Sequence, residues 1–220
     1  VTDLLERAPD TLLCINISYQ RPHYQLHPQK KFWDLYDENI ELPETFYFSH
    51  ELRNPIFRKS AWDHDSPLDF RYAADNEDPE AGFRRIWRGT LACISQIDDV
   101  FGRLIRFLKE NNLYDNTIII YGADHGAYHA EYAIREKAPG ICSAAVCKVP
   151  YIWHVPGGLK NVVRDELVEN IDICSTIPAL CGLEPMNSVD GKDISGLLKD
   201  RNAGAVREVA VTENVWSKSI

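Results

Sequence analysis

An aspartate and a histidine stand side by side in the segment 122–126 (GADHG), directly after the apolar run 117–121 (TIIIY). The apolar run is β-branched and short, which predicts a buried strand. A carboxylate oxygen and an imidazole nitrogen at its end form a donor pair suited to a divalent cation. Asp124 and His125 complete at most half of a metal site, so other ligands must come from elsewhere. The alternative is that Asp124 caps a helix and His125 is an ordinary surface residue.

Two cationic side chains are further candidates for chemistry. His23 follows the apolar run 11–19, in a position comparable to that of Asp124. His23 and His27 have the spacing of a helical metal pair, but the prolines beside both make a continuous helix unfavourable. Lys137 lies in the hydrophilic stretch 134–140 and could hold an anionic oxygen as a point charge. A plain loop histidine and a solvated surface lysine are the alternatives.

Several motifs that would indicate other kinds of site are incomplete. His125 and His129 have zincin spacing, but Gly126 stands where that motif has its glutamate. The aspartates that begin at Asp63 resemble an EF-hand loop, but Leu68 occupies the glycine position. The six cysteines form no CxxC pair and lie mostly in apolar runs. We expect buried free thiols, which lean towards a reducing, cytoplasmic compartment.

The elements that must position these residues alternate between strands and helices. Apolar residues recur at helical spacing from Phe83 to Leu108, and a second helix is expected to end at Gly182. The predicted class is α/β, with a mostly parallel sheet covered by helices on both faces. The predicted strands are 11–19, 117–121, 150–155 and 207–212, and the predicted second helix is 172–181.

Composition and charge restrict the partners. The 220 residues carry a net charge of −9, which argues against nucleic acid or an anionic membrane as the main partner. No apolar run approaches the roughly 18 residues of a membrane span. An anionic small substrate remains compatible, because it needs only a local positive site.

Six segments, taken in order, resemble the sulfatase family of the alkaline phosphatase superfamily. They include a Pro-His element, an Ile-Asp-x-x-x-Gly helix and the Asp-His strand end. Lys137 also lies thirteen residues after Asp124, where the family has an anion-contacting lysine. The segments are 18–37, 97–108, 116–126, 149–157, 168–182 and 190–198.

The resemblance implies an alkaline-phosphatase-like fold and a metal-dependent sulfuric ester hydrolase. Asp124 and His125 would bind one divalent cation, with calcium favoured and magnesium or manganese as alternatives, while His23 and Lys137 would contact the sulfate and serve catalysis. The substrate would be a sulfated small molecule or glycan. The family's formylglycine motif is absent from residues 1–220. We therefore expect formylglycine outside this chain and interpret residues 1–220 as a partial, incomplete catalytic domain, inactive alone.

Departures from the family pattern leave two alternatives open. Ala130 and Tyr132 stand where a glycine and a histidine are common, although Glu131 remains. His125 stands where many sulfatases have asparagine, and the Asp-His pair is favoured by phosphonate monoester and phosphodiester hydrolases of the same superfamily. The second alternative is a truncated, non-catalytic binding module, since the nucleophile motif is missing.

Overall fold

A computed structural model describes residues 6, 12–23, 25–47, 78–133, 135–137, 142–213 and 218–219. Of the strand predicted for 11–19, the structure describes residues 12–19. The EF-hand-like aspartates lie outside the described residues. The helices are Lys30–Trp33 (α1), Pro79–Glu110 (α2), Ala144–Cys147 (α3), Asp172–Cys181 (α4) and Ser195–Lys199 (α5). The strands are Ile119–Gly122 (β1), Tyr128–His129 (β2), Arg135–Glu136 (β3), Tyr151–His154 (β4), Thr212–Glu213 (β5) and Lys218–Ser219 (β6). Short 3₁₀ turns occupy Glu44–Tyr47, Tyr114–Asn116 and Glu131–Ala133.

The long helix α2 confirms the strongest periodic signal of the sequence. Asp78 caps its first turn, because the side chain accepts a hydrogen bond from the backbone N–H of Glu80, and Pro79 supplies a φ suited to the first helical position. The helix ends where Asn111 donates from its side chain to the carbonyl of Phe107 at 2.8 Å. A buried cluster at the start of α2 joins Phe83 to Leu42, Ala130 and the ring of Phe46.

The two longest strands pair in the antiparallel sense. Ile119 lies opposite His154 and Gly122 lies opposite Tyr151. The described residues of the connection between them form only short elements, and the backbone N–H of Gly126 donates to the carbonyl of Val146. The chain therefore stays at the carboxyl end of β1, and β4 starts there and runs back. Parallel pairing needs a crossover that returns the chain to the other edge, and the strand pairs of the described residues are all antiparallel.

The helix α4 has the predicted bounds and end. Gly182 adopts φ 67° and ψ 27°, the left-handed cap that favours glycine. The backbone N–H of Leu183 donates to the carbonyl of Pro178 at 2.9 Å and closes the last turn. The predictions of β1, β4 and the two longer helices are therefore confirmed.

Two predicted strands are wrong as placed. Residues 12–20 form no strand ladder with any described residue, and Leu12 is 86% exposed. β-branched residues favour extended backbone, whereas a strand also needs a paired edge. Near the other end of the chain, Arg207 enters an ion pair instead of a strand, and the strand β5 begins only at Thr212.

The prediction of buried thiols is also largely wrong. All six cysteines are thiols rather than disulfides, but Cys93 alone is fully buried and Cys14, Cys174 and Cys181 are exposed. No helix in the described ranges is long and apolar enough to cross a lipid bilayer.

Candidate functional site

The Asp124–His125 pair lies at the carboxyl end of β1, as the sequence predicts. The side chain of Asp124 is 87% exposed, and its Oδ2 lies 3.5 Å from Nε2 of His125. Oδ1 of the same carboxylate accepts a hydrogen bond from the backbone N–H of His125 at 3.0 Å. The two candidate ligands are therefore close together and open to solvent rather than packed into the core.

The hydrogen bond at Nδ1 orients the imidazole of His125. Nδ1 lies 2.8 Å from the carbonyl oxygen of Gly126, and a carbonyl can only accept. In this bond Nδ1 is the donor, so Nε2 is the nitrogen whose lone pair is available to a ligand when the ring is neutral, and it lies 3.5 Å from Oδ2 of Asp124. Two electron-pair donors that face each other in this way fit a shared cation, and a histidine ligand held by a hydrogen bond on its other nitrogen is usual.

The two residues would supply at most half of a metal site. Within the part of the chain that the structure describes, no group of three or more His, Cys, Asp or Glu side chains is arranged to hold a metal ion. That further ligands come from elsewhere stays a prediction.

Gly126 is required by a close backbone approach, not by its φ angle. A Cβ placed at Gly126 would lie 2.1 Å from the carbonyl oxygen of Ala145. Only glycine can therefore let α3 pack against the loop that follows the metal pair.

A side chain from the start of α4 fastens the same strand end. Nδ2 of Asn170 donates to the carbonyl oxygen of Ala123 at 2.9 Å and lies 3.5 Å from that of Asp124. Two residues later, Asp172 accepts hydrogen bonds from the backbone N–H groups of Glu169 and Lys192, both at 2.8 Å. The turn that carries Asn170 is thereby held by a buried carboxylate.

Nearby phenol and thiol groups are poorly suited to act as bases or nucleophiles. Burial and then the negative charge of Asp172 raise the pKa of Tyr151 to about 12. Burial likewise raises the pKa values of the thiols of Cys93 and Cys147. Each group therefore stays protonated near neutral pH, whereas a nucleophilic cysteine needs a lowered pKa.

His23 lies in a different setting from Asp124. Its backbone N–H donates to the carbonyl of Gln20 at 3.0 Å, which forms a tight turn. The side chain lines an open cavity of about 600 Å³ between residues 18–27 and the middle of α2. The described lining of that cavity includes neither Asp124 nor His125 nor Lys137.

Lys137 lies in the turn after β3 and is exposed. Among the described residues, no hydrogen bond or ion pair joins it to the metal pair. The sequence therefore placed Asp124 and His125 together correctly, while the joint action of His23 and Lys137 with them stays a prediction.

Sequence reasoning missed three residues around the site. The side chain of Asn170 contacts the backbone carbonyl of Asp124, which is 46 residues away. No local sequence pattern predicts such a contact. Arg207 stands in a segment read as a strand, although it pairs with Asp172. Arg21 lines the same cavity as His23. The one local signal for these contacts was Asp172, an acidic residue at the start of a predicted helix.

The chain is similar to known proteins in sequence and in structure. The chain is 27% identical over 204 residues to an arylsulfatase of Clostridium perfringens, covering 91% of this chain and 40% of the relative. It superposes on the phosphonate monoester hydrolase SpPMH of Silicibacter pomeroyi with a TM-score of 0.70 and 28% identity, covering 81% of this chain and 35% of that one.

A third similarity concerns the fold alone. The chain superposes on BT4656, solved in complex with its substrate D-glucosamine-2-N,6-O-disulfate, with a TM-score of 0.66 and 19% identity over 90% of this chain and 48% of that one. The chain spans less than half the length of each of these proteins. The shared fold confirms the alkaline-phosphatase-like α/β class.

The sulfatase family model matches residues 20–183. The match begins just before the His23 turn and includes β1, the Asp124–His125 pair and α4. Since it covers well over half of the 220 residues, the chain belongs to the sulfatase family.

Proposed function

We propose that the full-length protein is a metal-dependent sulfuric ester hydrolase that acts on a sulfated small molecule or glycan. The observation that carries this proposal is the oriented pair at the end of β1, where Nε2 of His125 faces Oδ2 of Asp124 at 3.5 Å. This pair lies inside the segment that matches the sulfatase family.

Asp124 and His125 are the proposed metal ligands. An exposed carboxylate and an oriented imidazole suit one divalent cation, with calcium favoured and magnesium or manganese as alternatives. When bound, the cation supplies electrostatic stabilisation to the negative charge of a sulfate group. The nucleophile, formylglycine, is proposed to lie outside residues 1–220.

His23 and Lys137 are the proposed catalytic and substrate-binding cations. The ammonium of Lys137 balances negative charge on the sulfate oxygens, and its exposure leaves it free to reach an incoming ester. The imidazole of His23 donates a proton to the oxygen of the departing alcohol when the S–O bond breaks. Its place on the wall of an open cavity supports access to a substrate.

The test is Asp124→Ala in the full-length protein. We expect loss of bound metal, measured by elemental analysis, together with loss of 4-nitrophenyl sulfate hydrolysis. Asp115→Ala is the matched control, because Asp115 is an exposed aspartate just before β1, at its opposite end. Unchanged metal content and turnover in Asp124→Ala would contradict the proposal.

A phosphonate monoester or phosphodiester hydrolase is the second candidate. The similarity to SpPMH at 28% identity and a TM-score of 0.70 supports it, as does the imidazole in the metal pair. Side-by-side assays with aryl sulfate and aryl phosphonate separate the two activities. No turnover of either substrate by the full-length protein would instead favour a non-catalytic binding module.

A further inference from the structure

The cavity beside His23 has a cationic lining in an acidic protein. The chain carries a net charge of −9, yet the described residues that line this cavity include Arg21, His23 and His27 and no carboxylate. Asp98 and Asp99 follow on the same turn of α2 without joining the lining. The local field in the cavity therefore favours an anion.

Arg21 is fixed in this cavity by a neutral partner. Its Nη1 donates to Oε1 of Gln96 at 2.7 Å, and the same oxygen accepts from the backbone N–H of Gln29 at 3.1 Å. The amide is thus held from two sides and orients the half-buried guanidinium. A neutral oxygen leaves the positive charge uncompensated, and a guanidinium presents five N–H donors, so most of them are not used by this bond.

Other arginines show the contrasting arrangement, in which the partner is a carboxylate. Five of them in the described residues contact a carboxylate within 3.5 Å. Arg21 has no carboxylate partner within the same part of the chain. The five pairs are Arg84–Glu80, Arg88–Glu38, Arg103–Asp99, Arg164–Glu166 and Arg207–Asp172.

We propose that Arg21 binds a second anionic group, a carboxylate or a second sulfate, on the substrate whose sulfate ester is hydrolysed. The inference rests on the proposed function, because His23, the proposed sulfate contact, lines the same cavity. A volume of about 600 Å³ accommodates a group of the size of one sugar ring. Arg21 thereby selects substrates with at least two negative charges.

The experiment compares three aryl sulfates in the full-length protein: 4-nitrophenyl sulfate, an analogue with a ring carboxylate and an analogue with a second ring sulfate. For Arg21→Gln, the loss in kcat/KM on the preferred dianionic analogue should exceed the loss on 4-nitrophenyl sulfate by about 10- to 100-fold, the scale of a charge-assisted hydrogen bond. Arg21→Lys should fall between. The analogue with the larger loss identifies the anion.

Arg106→Gln is the matched control, because it removes the same charge from an exposed position on α2 outside the cavity. Its kcat/KM ratio among the three substrates should stay at the wild-type value. Equal losses on all three substrates in Arg21→Gln would overturn the inference. It would also be overturned if Arg106→Gln changed the kcat/KM ratio among the substrates as much as Arg21→Gln does. Melting curves of both variants check that the fold is intact.

A binding measurement separates this inference from the proposed function. If the wild-type protein hydrolyses none of the three compounds, the proposed function fails, and calorimetric titration with the same compounds still reports on Arg21. Binding of a dianion at least about tenfold tighter than the monoanion, lost in Arg21→Gln, supports an anion site at Arg21. Absence of that preference in the wild-type protein overturns it.

Discussion

Arg207 and Asp172 form a two-point ion pair inside the protein, with Nη1–Oδ2 at 2.5 Å and Nη2–Oδ1 at 2.7 Å. Their side chains are 8% and 0% exposed. Burial by itself raises the pKa of Asp172, but the bonds from Arg207 and from the backbone of Glu169 and Lys192 outweigh it and hold the pKa below its usual value. The pair fastens the start of α4 to two later segments of the chain.

Asp172→Asn is expected to lower the free energy of unfolding by about 1.5–3 kcal/mol, because the buried Arg207 loses its two-point carboxylate partner and keeps only the contact with Glu169 at 3.3 Å. Asparagine has nearly the same size, so the loss reports the charge rather than the volume. Urea denaturation of the folded protein at neutral pH measures it. The matched control is Asp34→Asn, which breaks the ion pair between Asp34 and Lys30. The side chain of Lys30 is 85% exposed and that of Asp34 is 51% exposed.

The control should lose less than about 1 kcal/mol, as exposed ion pairs do. Similar losses in Asp172→Asn and Asp34→Asn would show that burial does not set the contribution of the Arg207 pair.

A second prediction concerns pH and His129. The ring of His129 stacks on Trp87 with centroids 4.9 Å apart. Desolvation lowers the pKa of His129, and the charge of Glu131 opposes this only in part. The unfolded chain therefore binds a proton more readily than the folded one, and stability should fall as the pH drops below about 6.5 towards the folded pKa.

His129→Gln should flatten this pH dependence, because glutamine does not titrate. The measurement is the free energy of unfolding of both proteins from pH 8 to pH 5. A slope in His129→Gln equal to that of the wild type would assign the effect to other groups.

The sequence predicted those elements whose signal is local. The helix α2 shows its apolar period over about seven turns, and α4 ends at a glycine whose left-handed φ is independent of distant residues. The Asp124–His125 pair was found because adjacent residues at the end of a short apolar strand must lie close together. In each case the prediction and its physical cause lie within one segment.

The remaining features depend on contacts between distant segments. Whether residues 12–20 form a strand depends on a partner edge, and their composition alone does not supply one. The antiparallel course of β4 follows from how the connection packs at Gly126 and Ala145, since periodicity gives a strand no direction. Arg21 and Arg207 have opposite environments, a neutral amide and a buried carboxylate, although both looked alike as polar residues near strands.

A third prediction concerns Ala130, which stands where a glycine is common in the family. Its φ of 145° lies in a region that favours glycine, and holding another residue there costs about 1–3 kcal/mol. Its methyl group is fully buried beside Leu42 and Phe83. Ala130→Gly should change the free energy of unfolding by less than about 1 kcal/mol, since relief of strain offsets the lost methyl contacts.

Ala92→Gly is the matched control, because Ala92 is equally buried but lies in α2. It should lose about 2 kcal/mol, from helix propensity and the lost methyl. Thermal denaturation of both variants makes the comparison. Equal losses would mean that the backbone at Ala130 is not strained.

The fourth prediction tests whether Asn170 acts as a positioning residue for the proposed metal pair. Asn170→Ala removes the bond that holds the carbonyl of Ala123 and should weaken the affinity of the full-length protein for Ca²⁺ by about 10-fold, the lower end of the effects of residues that orient metal ligands. Calorimetric titration measures this. Asn111→Ala is the control, because it removes a comparable bond of 2.8 Å at the end of α2.

If both variants bind Ca²⁺ like the wild type, Asn170 supports the fold without positioning Asp124. A loss confined to Asn170→Ala, with unchanged melting temperature, links the turn before α4 to the ligands at the end of β1.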